Sequence, residues 1–188
     1  FGFNPGSTLS VGNGELIARV AINTNLAAAA GGIAAMATVW RMFGKPDLSM
    51  AMNGARAGRV AITAGCAFVD PWAAIVIGMI GGIVVVCGVV LLDKLHIDDP
   101  VGAVPVHGFN GLWGTIAAGI FATAAIGGVN VLIAGNPQQL ISQAGAAFII
   151  LAYSFIGTWI LALAIDKIMG LRVKEEEEYV GLDISQHG

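Results

Sequence analysis

Residues 98–114 read Asp98-Asp99-Pro100-Val101-Gly102-Ala103-Val104-Pro105-Val106-His107-Gly108-Phe109-Asn110-Gly111-Leu112-Trp113-Gly114. Two carboxylates and a proline give way to an apolar run that carries one histidine. Residues 100–165, 66 in all, contain no Asp, Glu, Lys or Arg, and His107 is the run's single histidine. A run that long without charge belongs in a bilayer, where about 20 predominantly apolar residues span the hydrocarbon. A titratable side chain at that depth is a functional candidate by default, because its burial is costly.

The composition agrees. Of 188 residues, 56% are hydrophobic and 11% charged, with mean hydropathy +0.81; soluble domains average about 25% charged. Glycine, at 27 residues, suits helices packed backbone to backbone. A net charge of −3 and the lack of a basic patch interleaved with aromatics argue against nucleic acid as a partner. Cys66 and Cys87 do not make a disulfide framework, and no C-x-x-C or H-x-x-x-H spacing suggests a metal. The chain opens Phe-Gly-Phe with no basic leader and reads as part of something longer.

Five segments are expected to span: residues 15–43, 48–67, 71–92, 102–122 and 138–169. The second is the weakest, because it carries Arg56 and Arg59. Residues 1–7 read as the tail of a preceding helix. Val11-Gly-Asn-Gly, Gly44-Lys-Pro, Asp99-Pro100 and Gly135-Asn-Pro mark turns between spans. If the spans alternate, Arg41, Lys45, Lys94, Lys167, Arg172 and Lys174 share one side, which the positive-inside rule makes cytoplasmic. His107 then lies a few residues into the membrane from the cytoplasmic side. Residues 1–169 form a membrane domain and residues 170–188 a polar cytoplasmic tail with four consecutive glutamates, Glu175 to Glu178. The fold class is an all-α polytopic transmembrane bundle.

Taken alone, His107 has two readings: a structural histidine bonded to a neighbouring helix, or a proton handler along a conduit. A neutral imidazole, the form an apolar surrounding is expected to favour, can both donate and accept. Gly102, Gly108, Gly111 and Gly114 keep the surrounding surface thin, which suits close packing or a narrow path. Arg56 and Arg59, three apart, share a helix face; snorkelling, or bonding to carbonyls at helix ends, is the plain reading. Asn53 is either a polar residue at a helix start or part of a path. Asp98 and Asp99 read as caps for the fourth helix. His96 and His187 fall in polar segments and read as solvated.

Five motifs, in order, add a resemblance: Phe1-Gly-Phe-Asn-Pro-Gly-Ser7; Asn53-Gly-Ala-Arg-Ala-Gly; Ala61-Ile-Thr-Ala-Gly-Cys-Ala-Phe-Val-Asp-Pro-Trp-Ala-Ala74; Asp98-Asp-Pro with Val-Pro-Val-His107-Gly and Gly-Leu-Trp-Gly114; and Gly181-Leu-Asp-Ile-Ser-Gln-His-Gly188. Together they resemble the ammonium transporter (Amt/Mep/Rh) family over essentially the whole chain. The match is to the second half of its eleven-helix protomer: the end of helix six, helices seven to eleven and the start of the tail.

The resemblance implies selective passage of ammonium or ammonia through an apolar pore, in a cell-membrane homotrimer with one pore per protomer. Inverted halves place such a path at their interface. Phe3 matches an outer-gate phenylalanine, where a cation over aromatic faces gains ~0.5–2 kcal/mol. Ser7 matches the hydroxyl that recruits ammonium, and His107 the second of two pore histidines that relay a proton. Asn53 corresponds to the cytoplasmic exit. No cofactor is implied and no enzymatic step; a PII-type signal protein is an implied partner at the cytoplasmic face. Arg56 and Arg59 depart from the family pattern, which is uncharged there. The alternative is an ammonium sensor, with a similar membrane domain fused to a signalling module.

Overall fold

The computed structural model describes residues 2–9, 11–126, 128 and 131–187, with the side chains of 185–187 left aside. Phe1, Gly188 and the side chain of His187 therefore lie outside the described residues. Every regular element among those described is helical. In chain order they are α1 (Gly14–Phe43), α2 (Leu48–Ile62), α3 (Pro71–Lys94), a π-helical segment (Val104–Phe109) running into α4 (Asn110–Phe121), α5 (Gln138–Met169), α6 (Glu175–Val180) and α7 (Leu182–His187). The chain divides into two compact units, Phe1–Ala147 and Phe148–Gly188.

In the first unit, local chemistry sets the ends. The Asn13 side chain accepts the Leu16 N–H at 3.0 Å to open α1, and Asp47 accepts that of Met50 at 2.8 Å to open α2. Asn and Asp are favoured there because their oxygens satisfy helix-end donors. Pro71 starts α3, where its missing N–H costs nothing. Gly44, at φ +76°, closes α1 in the left-handed region.

α1, α2 and α3 pack at very close range. Ala27, Ala35, Ala57 and Ala61 are buried, together with Ile62, Ile77, Val85 and Val86. A Cβ on Gly58 or Gly78 would collide with the Ala27 carbonyl, and one on Gly31 with the Gly54 carbonyl. Small residues thus let the backbones meet, as membrane bundles require when lipid removes the hydrophobic drive between helices.

Three helices, α1, α3 and α5, are long and apolar enough to cross a membrane on their own. Two of the five expected spans differ. The second ends as regular helix at Ile62 rather than at residue 67, and the chain continues in turns, with Val69 donating to the Gly65 carbonyl at 3.0 Å. The break frees carbonyls, and the buried Asn23 amide on α1 donates to two of them, those of Cys66 and Val69, at 2.9 Å each. A neighbouring element thus supplies the donors that the non-helical backbone lacks. The fourth expected span is the six-residue π segment followed by the twelve-residue α4. The helix tail expected before Ser7 is one 3-10 turn, Pro5–Thr8, opened by Pro5 and ended by Leu9 at φ +57°.

The second unit holds the rest of α5, largely exposed, and the tail. Gly170, at φ +78°, closes α5 by donating to the Asp166 carbonyl. α6 and α7 follow, and Arg172 pairs with Glu178 at 2.7 Å. A hydrogen bond from the Arg172 guanidinium, together with its charge, holds the Glu178 carboxyl below its ordinary range.

Candidate functional site

His107 sits inside the π segment, on the exposed side of the chain. Pro105 lies in the first turn of the segment, where a missing N–H is tolerated, and Val101 precedes the helix, with Gly102 between them at φ +70°. Asp99 prepares the segment: its carboxylate oxygens accept the N–H groups of Ala103 at 2.8 Å and Val104 at 2.9 Å. The expected cap is therefore present at Asp99, while Asp98 is exposed. Single π turns inside helices recur at functional sites. The imidazole makes no hydrogen bond among the described residues.

Phe3 is 62% exposed, and its carbonyl accepts a bond from Ser7 Oγ at 2.7 Å. The two expected vestibule residues are thus on one turn, and the Ser7 oxygen keeps lone pairs for another donor. Asn4 anchors that turn: buried, it donates to Thr24 Oγ1 at 3.2 Å and to the Arg59 carbonyl at 3.5 Å. Asn53 lies near the other end of α2 and donates to the Val101 carbonyl at 3.1 Å. The Phe3–Ser7 turn and the approach to His107 are both tied to α2, at points six residues or ~9 Å apart along its axis.

Arg56 and Arg59 are exposed. Arg56 donates to Asn53 Oδ1 at 3.4 Å, a side-chain partner rather than a helix-end carbonyl. His96 is exposed too, as a solvated histidine should be. Sequence reasoning passed over Asn4, Asn23 and Asn110, all buried. Their one signal was polarity within apolar stretches. Trp113 adds a further tie, its indole N–H donating to the Ile77 carbonyl at 3.1 Å. No group of His, Cys, Asp and Glu able to hold a metal occurs among the described residues.

The profile of the Ammonium Transporter Family matches residues 1–188. The chain belongs to that family. It is 49% identical over 195 aligned residues to ammonium transporter Amt2 of Archaeoglobus fulgidus, and 40% identical over 191 to an ammonium transporter of Bacillus subtilis. Both alignments cover 100% of this chain, with 41% and 47% of the relatives. The chain thus spans less than half the length of these curated relatives. Among solved structures it is similar to Mep2 of Candida albicans (TM-score 0.85, 34% identity, 100% of this chain and 43% of that one) and to a protein titled Sensor Amt Protein (TM-score 0.85, 33% identity, 100% and 45%). The all-helical, polytopic membrane fold and membership of a transporter family rather than an enzyme family follow from these matches.

Proposed function

We propose that this ammonium transporter family chain forms part of the wall of an ammonium-conducting path, with His107 facing the conduit. The observation that supports it is a lone histidine, exposed on a π turn within a 66-residue uncharged run. Ser7 recruits ammonium from outside by accepting one of its N–H bonds, and Phe3 forms part of the outer gate. The ion gives up its proton there, since a bare cation in an apolar lumen is costly. Ammonia then passes His107, whose neutral ring accepts from one species and donates to the next, relaying the proton with a second histidine elsewhere in the protein. Asn53 stands at the cytoplasmic exit. Potassium is excluded because it has no proton to lose.

The same reading makes residues 1–169 the membrane domain and 170–188 a cytoplasmic tail, in a trimer in the cell membrane, with a PII-type signal protein docking at the cytoplasmic face. Its test is an ammonium-pulse current across proteoliposomes of the full-length protein, beside His107→Ala. A current in the wild type, lost or altered in charge moved per ammonium in the variant, is expected. Specific ammonium binding with no flux would replace this reading with a sensor, which the likeness to the sensor Amt structure keeps as the second candidate.

A further inference from the structure

The π segment is held at both ends by side-chain amides. Upstream, the Val101 carbonyl, just before the helical segment, takes the Asn53 Nδ2 donor from α2 at 3.1 Å. Gly102 lies against the same amide at φ +70°, and a Cβ there would stand 3.0 Å from Asn53 Nδ2. Downstream, the Pro105 carbonyl receives both the backbone N–H of Asn110 and its side-chain Nδ2, the latter at 2.8 Å. Asn110 is 0% exposed, and its Oδ1 has no hydrogen-bond partner among the described residues. That oxygen rests where a Cβ on Gly81 would come within 2.8 Å. Gly88 leaves similar room for Phe109 and Pro105, whose atoms would stand 2.8 and 2.9 Å from an added Cβ.

A π turn carries one residue more than an α turn. Its reversion to α geometry would rotate the residues on one side by about 100° relative to those on the other. His107 sits within the turn, so its direction depends on the turn surviving. The Asn110 amide gives the Pro105 carbonyl a second donor beside the backbone N–H of the π register, and Asn53 ties down the chain just before the segment.

We propose that Asn53 and Asn110 are positioning residues for His107, fixing the two ends of the π turn so that the imidazole stays aimed into the conduit. This rests on the reading of His107 as a conduit residue. Neither amide touches the transported species in this role; each acts through the histidine.

The test is a double-mutant cycle read as ammonium-pulse current in proteoliposomes of the full-length protein. Asn110→Ala, Asn53→Leu and Asn53→Gln are made in the wild type and in His107→Ala. Asn110→Ala is expected to lower the current roughly 10-fold, the scale of one lost buried hydrogen bond, and Asn53→Leu roughly 3-fold, since its bond is exposed. Asn53→Gln, which keeps the amide donor, should restore it to within about twofold of wild type. In the His107→Ala background the same substitutions should change nothing further. Losses that multiply with His107→Ala would overturn the proposal and leave the transport reading standing. If Asn110→Ala fails to reach the membrane, the half-buried Asn53 decides, and equal loss in its Leu and Gln variants counts against the proposal. A His107→Ala protein indistinguishable from wild type would remove the conduit reading itself, and the positioning role with it.

Discussion

Ser7 illustrates what one atom can contribute. Its hydroxyl hydrogen is committed to the Phe3 carbonyl at 2.7 Å, which leaves the oxygen to accept, as the proposed recruitment of ammonium requires. Ser7→Ala should therefore raise the ammonium concentration giving half-maximal uptake by roughly 2- to 10-fold, as expected for one hydrogen bond of ~0.5–1.5 kcal/mol, while maximal uptake changes little. An unchanged concentration dependence in a flux assay would remove Ser7 from recruitment. At this scale the sequence was only partly legible. His107 stood out because it interrupts an uncharged run. Asn4, Asn23 and Asn110 did not, because their function is defined by carbonyls supplied elsewhere in the fold. Asn23 reaches Cys66 and Val69, and Asn4 reaches Arg59; nothing in the spacing of the residues announces those pairings.

Helices reveal their constraints most clearly at neighbouring glycines. Gly31 and Gly32 are adjacent on α1, yet a Cβ on Gly31 would strike the Gly54 carbonyl, whereas one on Gly32 would make ordinary contacts at 3.4 Å and beyond. Gly31→Ala should destabilise by about 1–3 kcal/mol, the usual cost of overpacking; Gly32→Ala should be neutral or gain slightly from helix propensity. Thermal unfolding of the two full-length variants in detergent makes the comparison. The tail offers a second case. Arg172 holds the Glu178 carboxyl below its ordinary range, so ionised Glu178 favours the folded tail. That contribution is complete above the ordinary carboxylate range and disappears as pH falls through the lowered value. Being exposed, it is small and salt-sensitive. An NMR titration should find the Glu178 midpoint moving upward in Arg172→Gln; no movement would mean the pair does not persist in solution. The sequence marked turns between elements, such as Gly44-Lys-Pro, and a cap at Asp99, because such signals are local. It did not mark the early end of α2 or the π register around His107. There the backbone is held by donors from α1 and α2, Asn23 and Asn53.

For the whole molecule, the arrangement of cations makes an orientation prediction. In a protein with Cys66 and Cys87 replaced by alanine, Pro46→Cys should react with an impermeant thiol reagent only from the cytoplasmic side, and Ala134→Cys only from outside. The reverse pattern would invert the assignment drawn from Arg41, Lys45, Lys94, Lys167, Arg172 and Lys174. The bundle class and the order of the helices were legible at this scale, since apolar length and turn residues are properties of the chain itself. One dimension has a further consequence. α5 contains 32 residues and is therefore ~48 Å long, against a hydrocarbon core of about 30 Å. Even a tilt near 40°, the upper end of what spanning helices adopt, leaves roughly 9 Å uncovered. Asp166 and Lys167 lie in its last turn, so the surplus is expected to leave the hydrocarbon at that end. A thicker bilayer can then draw more of α5 under cover, so the protein should tolerate host membranes of different depth.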